Sequence, residues 1–331
     1  MNRRAFLDTS ARLVVAGALL PRFDRLGESR PSPFLDAHVH SASAAMLAYR
    51  ASSSGRGATQ PSGGPVTGAA LVERLDADGV RRAFVMSTAY QMAADVNRTG
   101  PLSESEERAR VALENDFVAE QCALFPDRLV PFLSVNPKRT YAIEEIDRCV
   151  EVHGMRGLKL HLWNSLVDTR KDADLSALTR VIAHAARRGL PVVAHIFVGA
   201  VPGYGGDDTE RFVREVIAPL GTLKISIAHL AGAGGFATQQ QQCFERLTAL
   251  CGTGTSLTTR VWTDMAAIFS PRTSPADIAR FAELVPQWGY DRLFWGSDSI
   301  AGALAEALTR WPLGDAAWQT IANDRGAAFC A

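Results

Sequence analysis

Four of the seven histidines lie at the ends of short apolar segments, where side chains of a sheet can converge. His38 and His40 occupy alternate positions in Asp-Ala-His-Val-His, and alternate residues of a strand point to one face. His195 and His229 each end a later apolar segment, and Asp298 ends the last one. Imidazole and carboxylate groups that converge in this way are typical ligands of zinc, iron and similar ions. The spacing therefore predicts a metal site.

The same alternation adds further side chains to this site. It places Asp36 on the face of the first two histidines, and it places Lys159 and His161 together on one face of the fourth segment. We expect Lys159 and His161 to line a substrate pocket, although a purely structural role for either remains open. His153 and His184 fall in helical segments instead, and we expect them to have ordinary structural roles.

Eight short β-like segments, separated by amphipathic stretches, follow one another from residue 31 onward. The β-like segments span residues 34–40, 82–87, 129–135, 157–162, 191–196, 224–229, 261–265 and 292–297. The helical stretches span residues 104–125, 141–153, 176–188, 209–220, 239–250 and 275–288. This alternation predicts an α/β fold, with residues 31–331 as a single (β/α)8 TIM barrel domain. The strand-end side chains would then meet at the C-terminal mouth of the barrel.

An open, doubly wound sheet is the alternative architecture. Such a sheet usually has a glycine-rich turn directly after its first strand. Here the first segment ends in His-Val-His, so no dinucleotide-binding fingerprint opens the fold. Residues 41–68, which follow, are rich in Ser, Ala, Gly and Pro, and we expect a long loop at the mouth. A solvated insertion and a functional loop are both consistent with this composition.

The composition excludes several classes of protein. The 35 Lys+Arg balance the 35 Asp+Glu, so no net charge favours nucleic acid or an anionic membrane. A hydrophobic content of 47% excludes a disordered chain. The apolar run at residues 13–20 is shorter than the about 20 residues of a membrane-spanning helix, so we expect no stable membrane anchor. The five cysteines include no CxxC pair, which argues against a thiolate metal site.

Residues 1–30 resemble a twin-arginine export signal. Arg3 and Arg4 are adjacent, Phe6 and Leu7 follow, and a short apolar run comes next. The resemblance implies a periplasmic or otherwise exported protein, carried across the membrane already folded and often with its metal bound. A cytoplasmic protein with an incidental arginine pair is the alternative.

The strand-end residues together resemble the amidohydrolase superfamily. The Asp-x-His-x-His segment is followed in order by His195, His229 and Asp298. Within the superfamily, the likeness is to the amidohydrolase-related group that also holds carboxymuconate-semialdehyde decarboxylase-like enzymes. It extends from about residue 34 to the C-terminus, and residues 157–161 and 323–326 resemble further segments of that group.

The resemblance implies a role for each of these side chains. His38, His40 and His195 would bind a divalent metal, expected to be one Zn²⁺, with Asp298 as a further ligand or as base. His229 or Asp298 would take a proton from metal-activated water and later deliver it to the leaving group. In binuclear members a carbamylated lysine on the fourth strand bridges two metals, so two metals would give Lys159 that role.

These expectations describe a metal-dependent hydrolase that cleaves a C–N or C–O bond of a small carbonyl compound. A metal-dependent decarboxylase of a small carboxylic acid is the first alternative, because the same ligands serve both reactions. A non-catalytic exported barrel that binds a metal or ligand is the second. The expected partner is a small molecule, and a homo-oligomer is a further expectation because barrels of this kind often pair.

Overall fold

Eight parallel strands form one sheet, in which each strand neighbours the next along the chain. The computed structural model describes residues 34–53, 64–95, 102–323 and 326–330. The strands are β1 (Phe34–His40), β2 (Val80–Met86), β3 (Leu129–Ser134), β4 (Gly157–His161), β5 (Val192–His195), β6 (Ile225–Ile227), β7 (Val261–Asp264) and β8 (Leu293–Phe294). The predicted signal at residues 1–30 lies outside the described residues.

Backbone hydrogen bonds join the segment around β8 to β1 and close the sheet. The amide of Ala37 donates to the carbonyl of Trp295 at 3.0 Å, and the amide of Asp298 donates to the carbonyl of His38 at 2.8 Å. Closure removes the two exposed edges that an open sheet would present. The prediction of a (β/α)8 barrel is therefore confirmed, and the open doubly wound sheet is excluded.

Helices follow the strands around the barrel. Those in the described residues are α1 (Ala44–Ser53), α2 (Gly68–Asp78), α3 (Glu104–Ala123), α4 (Ala142–His153), α5 (Asp172–Arg187), α6 (Gly206–Phe212), α7 (Thr238–Cys251), α8 (Pro275–Trp288), α9 (Ala303–Arg310), α10 (Asp315–Ala322) and α11 (Gly326–Cys330). Ser103 and Ser274 begin α3 and α8 with capping boxes, which satisfy amides of the first turn. None of these helices of the described residues combines the length and the apolar character that crossing a membrane requires.

The predicted helical stretches correspond to α3 through α8, with shifts at their ends. The stretch at residues 41–68 differs from the prediction, because α1 occupies Ala44–Ser53 and α2 begins at Gly68. Residues 54–63 of that stretch lie outside the described part. The largest differences at the C-terminal ends of the strands are at β6 and β8, which end two and three residues earlier than predicted, at Ile227 and Phe294. His229 and Asp298 consequently lie beyond strand ends rather than within them.

The barrel interior is filled mainly by aromatic side chains at the end opposite the predicted site. Phe84 packs against Phe132 and Phe294, with ring centroids 5.1 and 6.4 Å apart. Phe329 of α11 joins them, at 5.2 Å from the Trp262 ring. These contacts fill the end of the barrel away from the mouth. Only the mouth end is therefore open to a substrate.

Gly157 at the start of β4 has no room for a side chain, because a Cβ there would lie 2.1 Å from the Phe132 ring. We expect Gly157→Ala to lower the free energy of unfolding by about 1–3 kcal/mol through overpacking. Equilibrium unfolding in urea measures the change. Gly221→Ala is the control, since its Cβ would meet nothing within 4 Å. Equal losses of stability in the two variants would contradict this account of the barrel interior.

Candidate metal centre

A one-residue bulge in β1 sets the direction of its histidines. β1 advances three positions from Asp36 to Val39, whereas β2 advances two between their partners Ala83 and Val85. Asp36 therefore pairs with Ala83, which packs toward the helices, whereas His40 pairs with Met86, which packs inside the barrel. The prediction that Asp36 shares the face of the histidines is wrong, because the bulge shifts the alternation between them.

Asp36 has a supporting position behind the site. Its Oδ1 accepts hydrogen bonds from the amides of His38 at 3.1 Å and Ser297 at 3.0 Å. Burial raises the pKa of Asp36 to about 6, against the lowering effect of the hydrogen bonds from Ser297. The carboxyl group thus ties the end of β1 to the residue that precedes Asp298.

Three predicted ligands converge at the mouth. The Oδ1 atom of Asp298 lies 3.3 Å from Nε2 of His40 and 3.7 Å from Nε2 of His38. Ligand atoms held at roughly 2.1 Å around a tetrahedral ion lie about 3.4 Å from one another. These atoms lie within 4.8 Å of one another, so His38, His40 and Asp298 could hold one metal ion.

Both β1 histidines use Nδ1 for a hydrogen bond to the protein, so Nε2 is the atom that lies near Asp298. Nδ1 of His38 donates to Oδ2 of Asp264 at 2.9 Å, and Nδ1 of His40 donates to the carbonyl of Met86 at 3.3 Å. Such outer bonds fix the tautomer of a metal-binding imidazole. Burial lowers the pKa of both histidines, which favours the neutral form that a metal requires.

The carboxyl group of Asp298 has the charge state that a metal ligand needs. Burial acts to raise its pKa, but the hydrogen bond with His40 and the nearby His229 and His38 outweigh burial. The pKa of Asp298 is consequently held well below its usual value of 3.8. A carboxylate in this position offers its oxygen atoms to a cation at neutral pH.

His195 lies at the end of β5 and faces the same region. Its ring stacks on His161, with centroids 4.1 Å apart, and lies 5.2 Å from the His229 ring. Its Nε2 atom is buried and has no hydrogen-bond partner among the described residues. An unsatisfied buried polar atom costs about 1–3 kcal/mol, and coordination of an ion would remove that cost. A metal therefore fits this atom, although His195 lies outside the tightest group of ligand atoms.

His229 lies two residues beyond β6 in a strained turn. His229, Leu230 and Ala231 have φ angles of 55°, 52° and 62°, which is the left-handed region. Each such residue costs about 1–3 kcal/mol and is commonest at functional sites. Nδ1 of His229 donates to the carbonyl of Ala266 at 2.9 Å, so its Nε2 is left for chemistry.

Asp264 at the end of β7 is a site residue that the sequence pattern did not indicate. Its Oδ2 accepts from His38 Nδ1, and its Oδ1 accepts from the amides of His229 at 2.9 Å and Ala266 at 3.1 Å. With His38 and His229 it forms a second group that could hold an ion, but these hydrogen bonds already occupy both of its oxygens. Its position at a strand end was the signal that could have identified it.

Lys159 and His161 of β4 lie where the sequence predicted, at the mouth. The Nζ atom of fully buried Lys159 lies 3.0 Å from Nε2 of His38, the same atom that a metal would use. Burial lowers the pKa of Lys159 to about 8. His161 is partly exposed, and its ring stacks on Tyr90 with centroids 4.6 Å apart.

The two remaining histidines lie on helices and pair with carboxylates. His153 Nε2 lies 2.8 Å from Oδ1 of Asp116, and His184 Nε2 lies 2.8 Å from Oδ1 of Asp147. Their contacts are structural, as the sequence predicted.

A family model described as Amidohydrolase matches residues 36–322 of the chain. The chain belongs to this amidohydrolase family. Enzymes of this fold include both hydrolases and decarboxylases, so the family supports an enzyme without selecting the reaction. No curated protein matches the chain.

Several solved structures share the barrel fold of this chain. The 5-carboxyvanillate decarboxylase of Sphingomonas paucimobilis is 13% identical, with a TM-score of 0.59 over 90% of this chain and 98% of that one. A dihydroxybenzoic acid decarboxylase of Polaromonas with bound manganese is 14% identical, with a TM-score of 0.61 over 90% and 96%. A probable 2-pyrone-4,6-dicarboxylic acid hydrolase of Acinetobacter baumannii is 12% identical, with a TM-score of 0.59 over 90% and 98%. At these identities the likeness shows the fold alone.

Asp264→Asn tests whether the carboxylate behind His38 supports a metal ligand. An amide has one acceptor oxygen, which cannot replace the charge or serve all three donors. We expect the affinity for Zn²⁺ to fall about 10- to 100-fold, as measured by calorimetric titration of metal-free protein. Asp147→Asn is the matched control, because Asp147 also bonds a histidine at 2.8 Å but lies on α4. Unchanged affinity in the Asp264 variant would exclude this supporting role.

Proposed function

We propose that this chain is a metal-dependent hydrolase that cleaves a C–N or C–O bond of a small carbonyl compound. The observation that carries the proposal is the spacing of 3.3 and 3.7 Å between Asp298 Oδ1 and the two β1 imidazoles. The buried Nε2 of His195, which has no hydrogen-bond partner among the described residues, would supply a fourth donor. Three neutral imidazoles and one carboxylate are a donor set that zinc accepts.

His38, His40, His195 and Asp298 would hold one divalent ion, for which we propose zinc. When bound, the ion supplies Lewis acidity that polarises a carbonyl group and lowers the pKa of water. The side chains of His40 and Asp298 are 19% and 27% exposed, whereas that of His38 is fully buried. A substrate would therefore approach over His40 and Asp298.

His229 is the residue that we assign to proton transfer. Its Nδ1 is engaged by the carbonyl of Ala266, so Nε2 can take a proton and return it to the leaving group. Asp298 was the other candidate base in the sequence. Because its carboxylate lies against both His38 and His40, we assign Asp298 to the metal instead.

Decarboxylation of a small carboxylic acid is the second candidate function, and Lys159 favours it. Its ammonium group is buried beside His38, where it could pair with a substrate carboxylate. Two of the solved structures described above are decarboxylases of aromatic acids. Hydrolysis in ¹⁸O-labelled water places the label in the organic product, whereas decarboxylation releases carbon dioxide and leaves the organic product without oxygen from water. Such an assay separates the two reactions on any substrate that is turned over.

A binding protein without catalysis would use the same ligands but would not need His229.

Export by the twin-arginine route and pairing into a homo-oligomer stay predictions from the sequence.

His229→Asn tests the assignment of proton transfer. A panel of small amides, lactones, esters and aromatic carboxylic acids supplies the substrate, and kcat is compared between variant and native protein. We expect kcat to fall about 10²- to 10⁴-fold, which is the usual contribution of a general acid–base group. Metal content should stay unchanged, because His229 is not one of the proposed ligands.

His184→Asn is the control for a lost histidine, since His184 pairs with Asp147 on the helical layer. It should retain the native kcat. A His229 variant with full kcat would contradict the assignment, and a protein without turnover of any panel member would favour the binding protein.

A further inference from the structure

His161 has a hydrogen-bonding state that the proposed reaction leaves unused. The backbone amide of Asn164 donates to its Nδ1 at 3.3 Å. An imidazole nitrogen that accepts a hydrogen bond carries a lone pair, so the ring proton lies on Nε2. The turn after β4 thus fixes His161 as a neutral ring with one N–H donor.

Two stacked rings fix the plane of this donor. His161 lies between Tyr90 and His195, with ring centroids 4.6 and 4.1 Å away. The corresponding interplanar angles are 28° and 10°. Because the ring is held on both faces and at Nδ1, its Nε2–H group is preorganised rather than free to rotate.

The donor has no acceptor among the described residues. His38, His40 and His229 each direct one N–H to an oxygen of the protein. Nε2 of His161 has no such bond among the described residues. It is also absent from the fully buried polar atoms that lack a partner, so it is not closed off from the mouth. The N–H group of His161 is therefore open to a molecule in the mouth.

We propose that His161 is a catalytic hydrogen-bond donor whose Nε2–H binds the carbonyl or carboxylate oxygen of the substrate. This inference rests on the proposed function, because it needs a substrate oxygen at the centre formed by His38, His40 and Asp298. The hydrogen bond stabilises the negative charge that develops on that oxygen, and His161 itself neither gains nor loses a proton. Stacking against His195 places the donor beside a proposed metal ligand.

Two substitutions separate the donor from the ring. His161→Phe keeps a ring between Tyr90 and His195 but removes the N–H group, and His161→Gln keeps an N–H donor but removes the ring. The probe is acetohydroxamate, a small ligand with a carbonyl oxygen, titrated by calorimetry into the zinc-loaded protein. We expect the Kd of His161→Phe to rise about 10- to 100-fold, which is the usual effect of losing a hydrogen bond to a charged group.

Zinc content, the His161→Gln variant and a control variant distinguish loss of the donor from loss of the metal. The zinc content of both variants should equal that of the native chain, and His161→Gln should recover part of the lost affinity. His184→Phe is the control and should keep the native Kd. A native Kd in His161→Phe would overturn the proposal, and so would loss of zinc from both variants, which would place His161 in the metal cage. A native chain that binds no zinc would instead contradict the proposed function.

Discussion

The seam between β1 and the segment that follows β8 is the constraint on which the barrel and its mouth both depend. The amide of Asp298 bonds the carbonyl of His38, and Asp36 holds the amide of Ser297. Gly296 makes this approach feasible, because a Cβ there would lie 2.7 Å from the Cβ of His38. The contacts that close the sheet are thus the same contacts that bring a carboxylate to the two β1 imidazoles.

The side chains of the site depend on other groups of the protein that hold them in position. Asp264 orients His38 and also accepts from the amide of His229, so one buried carboxylate links a histidine of β1 to the histidine that follows β6. Left-handed backbone at His229 and Asp298 turns both side chains toward the mouth at a cost in conformational energy. The rigid aromatic interior below them resists relaxation of that strain. Stability of the barrel and geometry of the site are therefore coupled.

The barrel and the positions of the strand-end side chains could be predicted from the sequence, because hydrophobic periodicity and the order of elements along the chain determine both. The sequence did not predict the face on which Asp36 lies, because a bulge of one residue leaves no trace in an alternating pattern. Asp264 was missed because a lone aspartate at a strand end is common, and only its hydrogen bonds distinguish it. The early ends of β6 and β8 also escaped prediction, since His229 and Asp298 adopt left-handed backbone that local propensity disfavours.

We propose that the mouth of this barrel holds one divalent ion between His38, His40, His195 and Asp298. Elemental analysis of protein purified without chelator measures the metal content per chain most directly. The account predicts about one zinc or similar ion per chain. A chain that contains no metal, even after divalent ions are added back, would contradict it.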